Sequence, residues 1–305
     1  MAFPSVTPKP ALGRPRRPPA PRPPPSGPPR VWTVWVTFFV ALAAMLLANG
    51  VVFVVFIAAI WSPEVAARFN ANPGSIIRPL AEQPAVILGS GLASVLTFAA
   101  FALVAAALSP SSEMIRERLR LWQTSRWYVH GVLTTVALLG IGNLADGART
   151  LAGASDQGAL HVIARAFANM EPALLALAVV IAGLGAGVAE ELFFRGYMQT
   201  RLEQRWHPVV ASIATSFCFA LVHFDPWHSA FAFLVGLHLA WVARRTGSIL
   251  PTITAHVLNN TVSTLAASLA PDFDKGHGLR SVILGVVLFA VGAGGFWVFS
   301  RKPAA

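Results

Sequence analysis

Polar and apolar residues in this chain are segregated into long blocks, not spaced at the three-to-four-residue interval of an amphipathic soluble helix. Apolar runs occupy about 31–61, 84–108, 127–144, 172–199, 207–224, 228–243, 249–269 and 280–299. Several exceed the roughly 20 residues that a helix needs to cross the hydrocarbon core of a bilayer. The run at 207–224 is short and that at 228–243 shorter still. The pattern predicts an all-α fold, a polytopic membrane helix bundle of about eight transmembrane helices.

The segments between these runs carry a second pattern. The tail, the 109–126 loop (Arg116, Arg118, Arg120, Arg126), the 195–206 turn (Arg195, Arg201, Arg205), Arg244–Arg245 and the Arg301–Lys302 end are basic. They alternate with the nearly balanced segments 62–83, 145–171, 225–227 and 270–279. Eight spans with both termini cytoplasmic satisfy the positive-inside rule at every loop. Residues 1–30 are rich in Pro and Arg and contain no acid, so we expect a disordered cytoplasmic tail. The first apolar run is too long for a signal-peptide core and reads as an uncleaved anchor. This divides the chain into the tail (1–30), N-terminal membrane helices with an interfacial loop (31–171), a core (172–269), and a last helix with its tail (270–305). Within the loop, Leu160 to Met170 predicts a short interfacial helix.

Composition agrees. Hydrophobic residues make up 55% of the chain and charged residues 12%, with a mean hydropathy of +0.62. A soluble domain carries about 25% charged residues. The net charge of +10 would point to nucleic acid in a soluble protein. Here the cations flank apolar runs, so the expected partner is the lipid bilayer and not nucleic acid. The single cysteine, Cys218, excludes an internal disulfide. The Pro- and Arg-rich composition, with no eukaryotic retention signal, points to a bacterial plasma membrane.

Against this background a few polar residues stand out. Glu190 and Glu191 are the only acids well inside a long apolar run, where each charge costs roughly 2.5–3.5 kcal/mol at a helix centre. Glu191 can meet Arg195 at i and i+4, whereas Glu190 lies about 100° round the helix without such a partner. Glu190 is therefore the catalytic candidate and Glu191 with Arg195 its structural support. His223 closes Phe219-Ala220-Leu221-Val222-His223, and His256 and Asn260 share a face at i and i+4. One carboxylate, two imidazoles and an amide can provide general-base chemistry and stabilise an oxyanion. His130, His207, His228 and His238 read as packing or helix-end residues, and His161 and His277 as loop residues. Gly183 and Gly187 fit the small-xxx-small pattern of close helix contact.

Glu190-Glu191-x-x-x-Arg195, Phe219-x-x-x-His223 and His256-x-x-x-Asn260, in that order, resemble the three signature motifs of the CPBP family of intramembrane proteases. That family includes type II CAAX prenyl endopeptidases and bacteriocin-immunity relatives. The turn Arg244-Arg245-Thr246-Gly247-Ser248 is also similar, and the resemblance covers about residues 172–265. It implies that Glu190 activates water, His223 helps to orient it, and His256 and Asn260 supply an oxyanion hole. No cofactor is expected; the alternative is a zinc ion on Glu190, His223 and His256. The expected partner is a membrane-anchored or lipid-modified peptide or protein substrate. Two other readings use the same residues: a non-proteolytic immunity or scaffold protein, and a proton-coupled transporter, against which the lack of an internal repeat counts.

Overall fold

The computed structural model describes residues 30–109, 113–270 and 277–301. The predicted disordered tail falls, apart from Arg30, outside these residues, as do Lys302 and most of the 270–279 loop. All regular structure among the described residues is helical. The helices are α1 (Trp32–Ile60), α2 (Pro63–Ala71), α3 (Gly74–Ala81), α4 (Pro84–Leu108), α5 (Ile115–Arg118) and α6 (Trp127–Leu151). There follow α7 (Gly158–Phe167), α8 (Pro172–Leu202), α9 (Pro208–Leu221), α10 (Pro226–Thr246), α11 (Leu250–Leu269) and α12 (Gly278–Phe299).

Every predicted apolar run is a helix, and six of them (α1, α4, α6, α8, α10 and α12) are long and apolar enough to cross a membrane. The other two fall short for different reasons. With 14 residues, α9 extends only about 21 Å. Helix α11 has 20 residues, but Thr252, Thr254, His256, Asn259, Asn260 and Thr261 dilute its apolar character. Prolines in the first turn start α4, α8, α9, α10 and α11 where the missing N–H removes no helical bond. Helix α10 stops at Gly247, whose φ of 70° takes the left-handed cap conformation glycine favours.

Several boundaries differ from the sequence reading. Helix α6 runs seven residues past the predicted end at 144, to Leu151. Buried Arg149 makes this possible: its Nη2 donates to the carbonyls of Ser155 and Gln157 at 3.2 and 2.8 Å, folding the following loop back onto the helix. The predicted interfacial helix at Leu160–Met170 forms as α7, starting and ending two to three residues earlier.

Helix α8 is central. Helices α4, α9 and α11 pack on it, α6 backs α11, α12 backs α6, and α1 lies outside α4. Small residues set the closest approaches. A Cβ at Gly140 of α6 would fall 2.8 Å from the Gly285 carbonyl of α12, and one at Gly285 would fall 2.8 Å from the Gly140 carbonyl. Between α8 and α11 the predicted glycine pattern does the same work. A Cβ at Gly187 would meet the Val257 nitrogen at 2.8 Å, and one at Gly183 would meet Thr261 Oγ1 at 2.6 Å. Large apolar side chains such as Phe39, Leu47, Val54, Leu103, Val210 and Val286 point outward and are exposed, as suits a hydrocarbon surrounding.

The loops sort to two ends. At one end the basic segments meet: Arg120 pairs with Glu203 at 2.9 Å, Ile249 N donates to Arg120 O, and Ser248 Oγ donates to Trp122 O at 2.6 Å. At the other end Ala159 N donates to Asp225 Oδ2 at 2.9 Å, and Asn169 N donates to Ser268 O at 3.1 Å.

Candidate active site

Helix α8 is not a uniform α-helix. Val179–Gly185 and Glu191–Gln199 are wound as π-helix and bracket an α-helical stretch, Ala186–Glu190. Such widened turns are rare and concentrate at functional sites. The two glutamates straddle the second boundary, with Glu190 ending the α stretch and Glu191 opening the π stretch.

Their environments differ as their roles should. The Glu191 side chain is fully buried, and its Oε1 accepts from Arg195 Nη1 at 2.5 Å. Arg195 is itself 1% exposed. Its Nη2 donates to Gly236 O on α10 at 3.3 Å, and its guanidinium lies 4.5 Å from the ring centroid of Phe219 on α9. One turn on, Gln199 Nε2 donates to Ala240 O of α10 at 3.0 Å. A charge this deeply enclosed depends on such partners, and one atom stays outside them: Glu191 Oε2 is buried with no hydrogen-bond partner among the described residues. Glu190, by contrast, has a 19% exposed side chain, so its carboxylate is reachable.

His256 joins the two. Its Nδ1 stands 3.0 Å from Glu191 Oε1, and its Nε2 stands 3.6 Å from Glu190 Oε2. A carboxylate can only accept, so Nδ1 donates to Glu191, and the ring is oriented with Nε2 toward Glu190. The sequence reading gave Glu191 one task, pairing with Arg195; the structure adds a second, holding His256.

Phe219 is the hub of the cluster. Its ring contacts Phe194, His223, His256 and the Arg195 guanidinium. Helix α9 ends at Leu221, and His223 folds back over its last turn, with Nδ1 2.8 Å from Phe219 O. Since a carbonyl accepts, Nδ1 donates and Nε2 is left as an acceptor. His228, read from sequence as a packing residue near a helix end, is packed against His223 with ring centroids 4.2 Å apart. Asp225 places it: the carboxylate caps α10 by accepting from His228 N at 2.7 Å, and its other oxygen takes Ala159 N of α7. The sequence signal was Asp225-Pro226, an N-cap followed by a first-turn proline, which fixes His228 one turn into a helix that starts three residues after His223.

Asn260 lies one turn beyond His256 on α11, and its Nδ2 donates to Ala182 O at 3.1 Å, inside the first π stretch. Its second amide hydrogen remains for another acceptor. No group of three or more His, Cys, Asp or Glu side chains among the described residues could hold a metal ion. His256 turns both nitrogens to carboxylates, and His223 turns one nitrogen to a carbonyl and keeps the other free.

The fold and cluster define a polytopic helical membrane protein with a buried carboxylate–imidazole centre. A family model described as "Type II CAAX prenyl endopeptidase Rce1-like" matches residues 172–262, under a third of the chain, from the start of α8 into α11. The matched region contains all three motifs, is consistent with the CPBP family, and supports a membrane protease-type function at the level of the family. Searches of curated proteins and of solved structures gave no match.

Proposed function

We propose that this protein is an intramembrane endopeptidase in which Glu190 activates the attacking water. The observation that carries the reading is the position of His256 between two carboxylates, one committed to Arg195 and the other reachable. In this reading Glu190 takes a proton from water as the oxygen attacks the scissile carbonyl carbon, and His223 Nε2 accepts the water's other hydrogen bond. The second amide hydrogen of Asn260 stabilises the oxyanion, joined by His256 Nε2–H when both ring nitrogens of His256 carry a proton, Nδ1–H staying on Glu191. When the C–N bond breaks, Glu190 returns its proton to the leaving amine. No step requires a metal. The substrate is a membrane-anchored or lipid-modified peptide or protein, and the compartment is a bacterial plasma membrane.

The test compares membrane-proteome N-termini in cells carrying the wild-type chain or Glu190→Gln at matched abundance. New N-termini with wild type alone are expected. Identical N-termini, with any phenotype rescued by the variant, would replace the protease reading with a binding or immunity role.

A further inference from the structure

Where the basic loops meet, a cavity of about 260 Å³ opens between the last turn of α4 and the last turns of α8. Three guanidinium groups line it, those of Arg118, Arg120 and Arg201, together with Trp122, Tyr197 and Thr200. Glu113 and Glu117 also line it, but Glu117 Oε2 accepts from Met114 N at 3.2 Å. Arg118 is committed to the carbonyls that end α4, its Nη1 donating to Ala106 O and to Ser109 O at 2.6 Å, and Arg120 is paired with Glu203. Arg201 is different. Its Nη1 reaches Gln204 Oε1 at 3.1 Å, while its buried Nε has no acceptor among the described residues. A buried cationic donor left unmatched in a polar cavity calls for an anionic acceptor.

The setting indicates which anion. Leu103, Val104 and Leu108 of α4 are exposed, so an apolar surface runs up to the cavity mouth at Ala106 and Ser109. Trp122 and Tyr197 supply the amphipathic rings favoured at the headgroup level. We propose that this cavity binds a phosphate oxyanion, that of an anionic phospholipid whose acyl chains lie along α4. Arg forks match phosphate oxygens in number and plane, and basic pockets between membrane helices hold anionic headgroups. The binding does not depend on the proposed protease chemistry.

The experiment uses the purified full chain in neutral detergent micelles doped with phosphatidylglycerol or phosphatidylcholine, or given inorganic phosphate, and reads the unfolding midpoint. Phosphatidylglycerol should raise it by about 5 °C over phosphatidylcholine at lipid well above its Kd. A shift reproduced by inorganic phosphate would support the oxyanion site and make free phosphate its source. No shift with either anion overturns the proposal. Arg201→Gln should abolish the difference and Arg245→Gln, on the same end, should keep it; equal loss in both would mean general attraction to a basic face and overturns the site. If Arg201→Gln does not fold, native mass spectrometry of wild type replaces it. Preferential retention of phosphatidylglycerol over phosphatidylcholine at equal mole fraction is expected, and equal retention overturns the proposal.

Discussion

Glu190 and Glu191 are adjacent in sequence, yet the structure predicts opposite consequences for the same substitution. Glu191→Gln removes the only carboxylate bonded to Arg195 among the described residues, leaving a guanidinium that is 1% exposed facing a neutral amide, and weakens the hold on His256 Nδ1. Breaking a buried pair by removing one partner costs about 3–5 kcal/mol, which in a chain of this size corresponds to a drop of roughly 6–20 °C in midpoint. Glu190→Gln removes a reachable carboxylate whose ion-pair partner atom, His256 Nε2, lies 3.6 Å away, so the stability change should stay within about 1 kcal/mol. Its catalytic effect should be large, since losing a general base costs about 100- to 10,000-fold in rate. Thermal unfolding of both variants in one detergent, beside turnover of a substrate identified by N-terminal profiling, measures both. If Glu190→Gln destabilises as much as Glu191→Gln, or Glu191→Gln leaves the midpoint unchanged, the division of roles is wrong.

Three further outcomes are expected. Gly187→Val should lose about 1–3 kcal/mol and most activity, because its Cβ would strike the Val257 backbone and push α11, with His256, away from α8; unchanged stability by denaturation would refute the close contact. Asn260→Ala should lower kcat about 100- to 1,000-fold if its free amide hydrogen serves the oxyanion, against only about 1 kcal/mol of stability from the lost bond to Ala182 O, and paired kinetics and unfolding separate the two. Asp225 should give an acid-sensitive contribution. Burial alone would raise its carboxyl, but the His228 and Ala159 amides and the charges of His228 and Arg149 hold it below the usual carboxylate range. A depressed folded pKa means that the stabilisation is present above the unfolded value of about 3.9 and is lost as pH falls through the folded one. Asp225→Ala should therefore lose about 1–2 kcal/mol at neutral pH and converge with wild type in acid, followed by unfolding from pH 7 down to pH 3.

What the sequence made legible is what depends on short spacing. The apolar runs gave the helices, the four-residue step predicted the Glu191–Arg195 pair found at 2.5 Å, and Gly183 with Gly187 predicted a close helix contact, which α11 makes. Contacts set by the three-dimensional path were not legible. The pairing of His228 with His223, the clamp of α7 by Asp225 and the hub role of Phe219 join residues whose relation depends on how α9 turns into α10. Winding was hidden too: no residue pattern announces that α8 widens on both sides of Ala186–Glu190. The second duty of Glu191 needs α11 to arrive antiparallel, with Val257 opposite Gly187, and that register appears only on assembly.

The widened turns make chain length itself part of the site. A π turn closes its hydrogen bond one residue later than an α turn, so it behaves as an extra residue absorbed without a loop. Deleting one residue between Gly187 and Gln199 with the widened turns kept would remove one step of the helix. Everything beyond the deletion would then swing by about 100° relative to the glycine seam on α11. Either the glutamates would leave His256, or Arg195 and Gln199 would leave the carbonyls of Gly236 and Ala240. Substitutions on the lipid-facing side of α8 are open to drift, whereas its residue count is not.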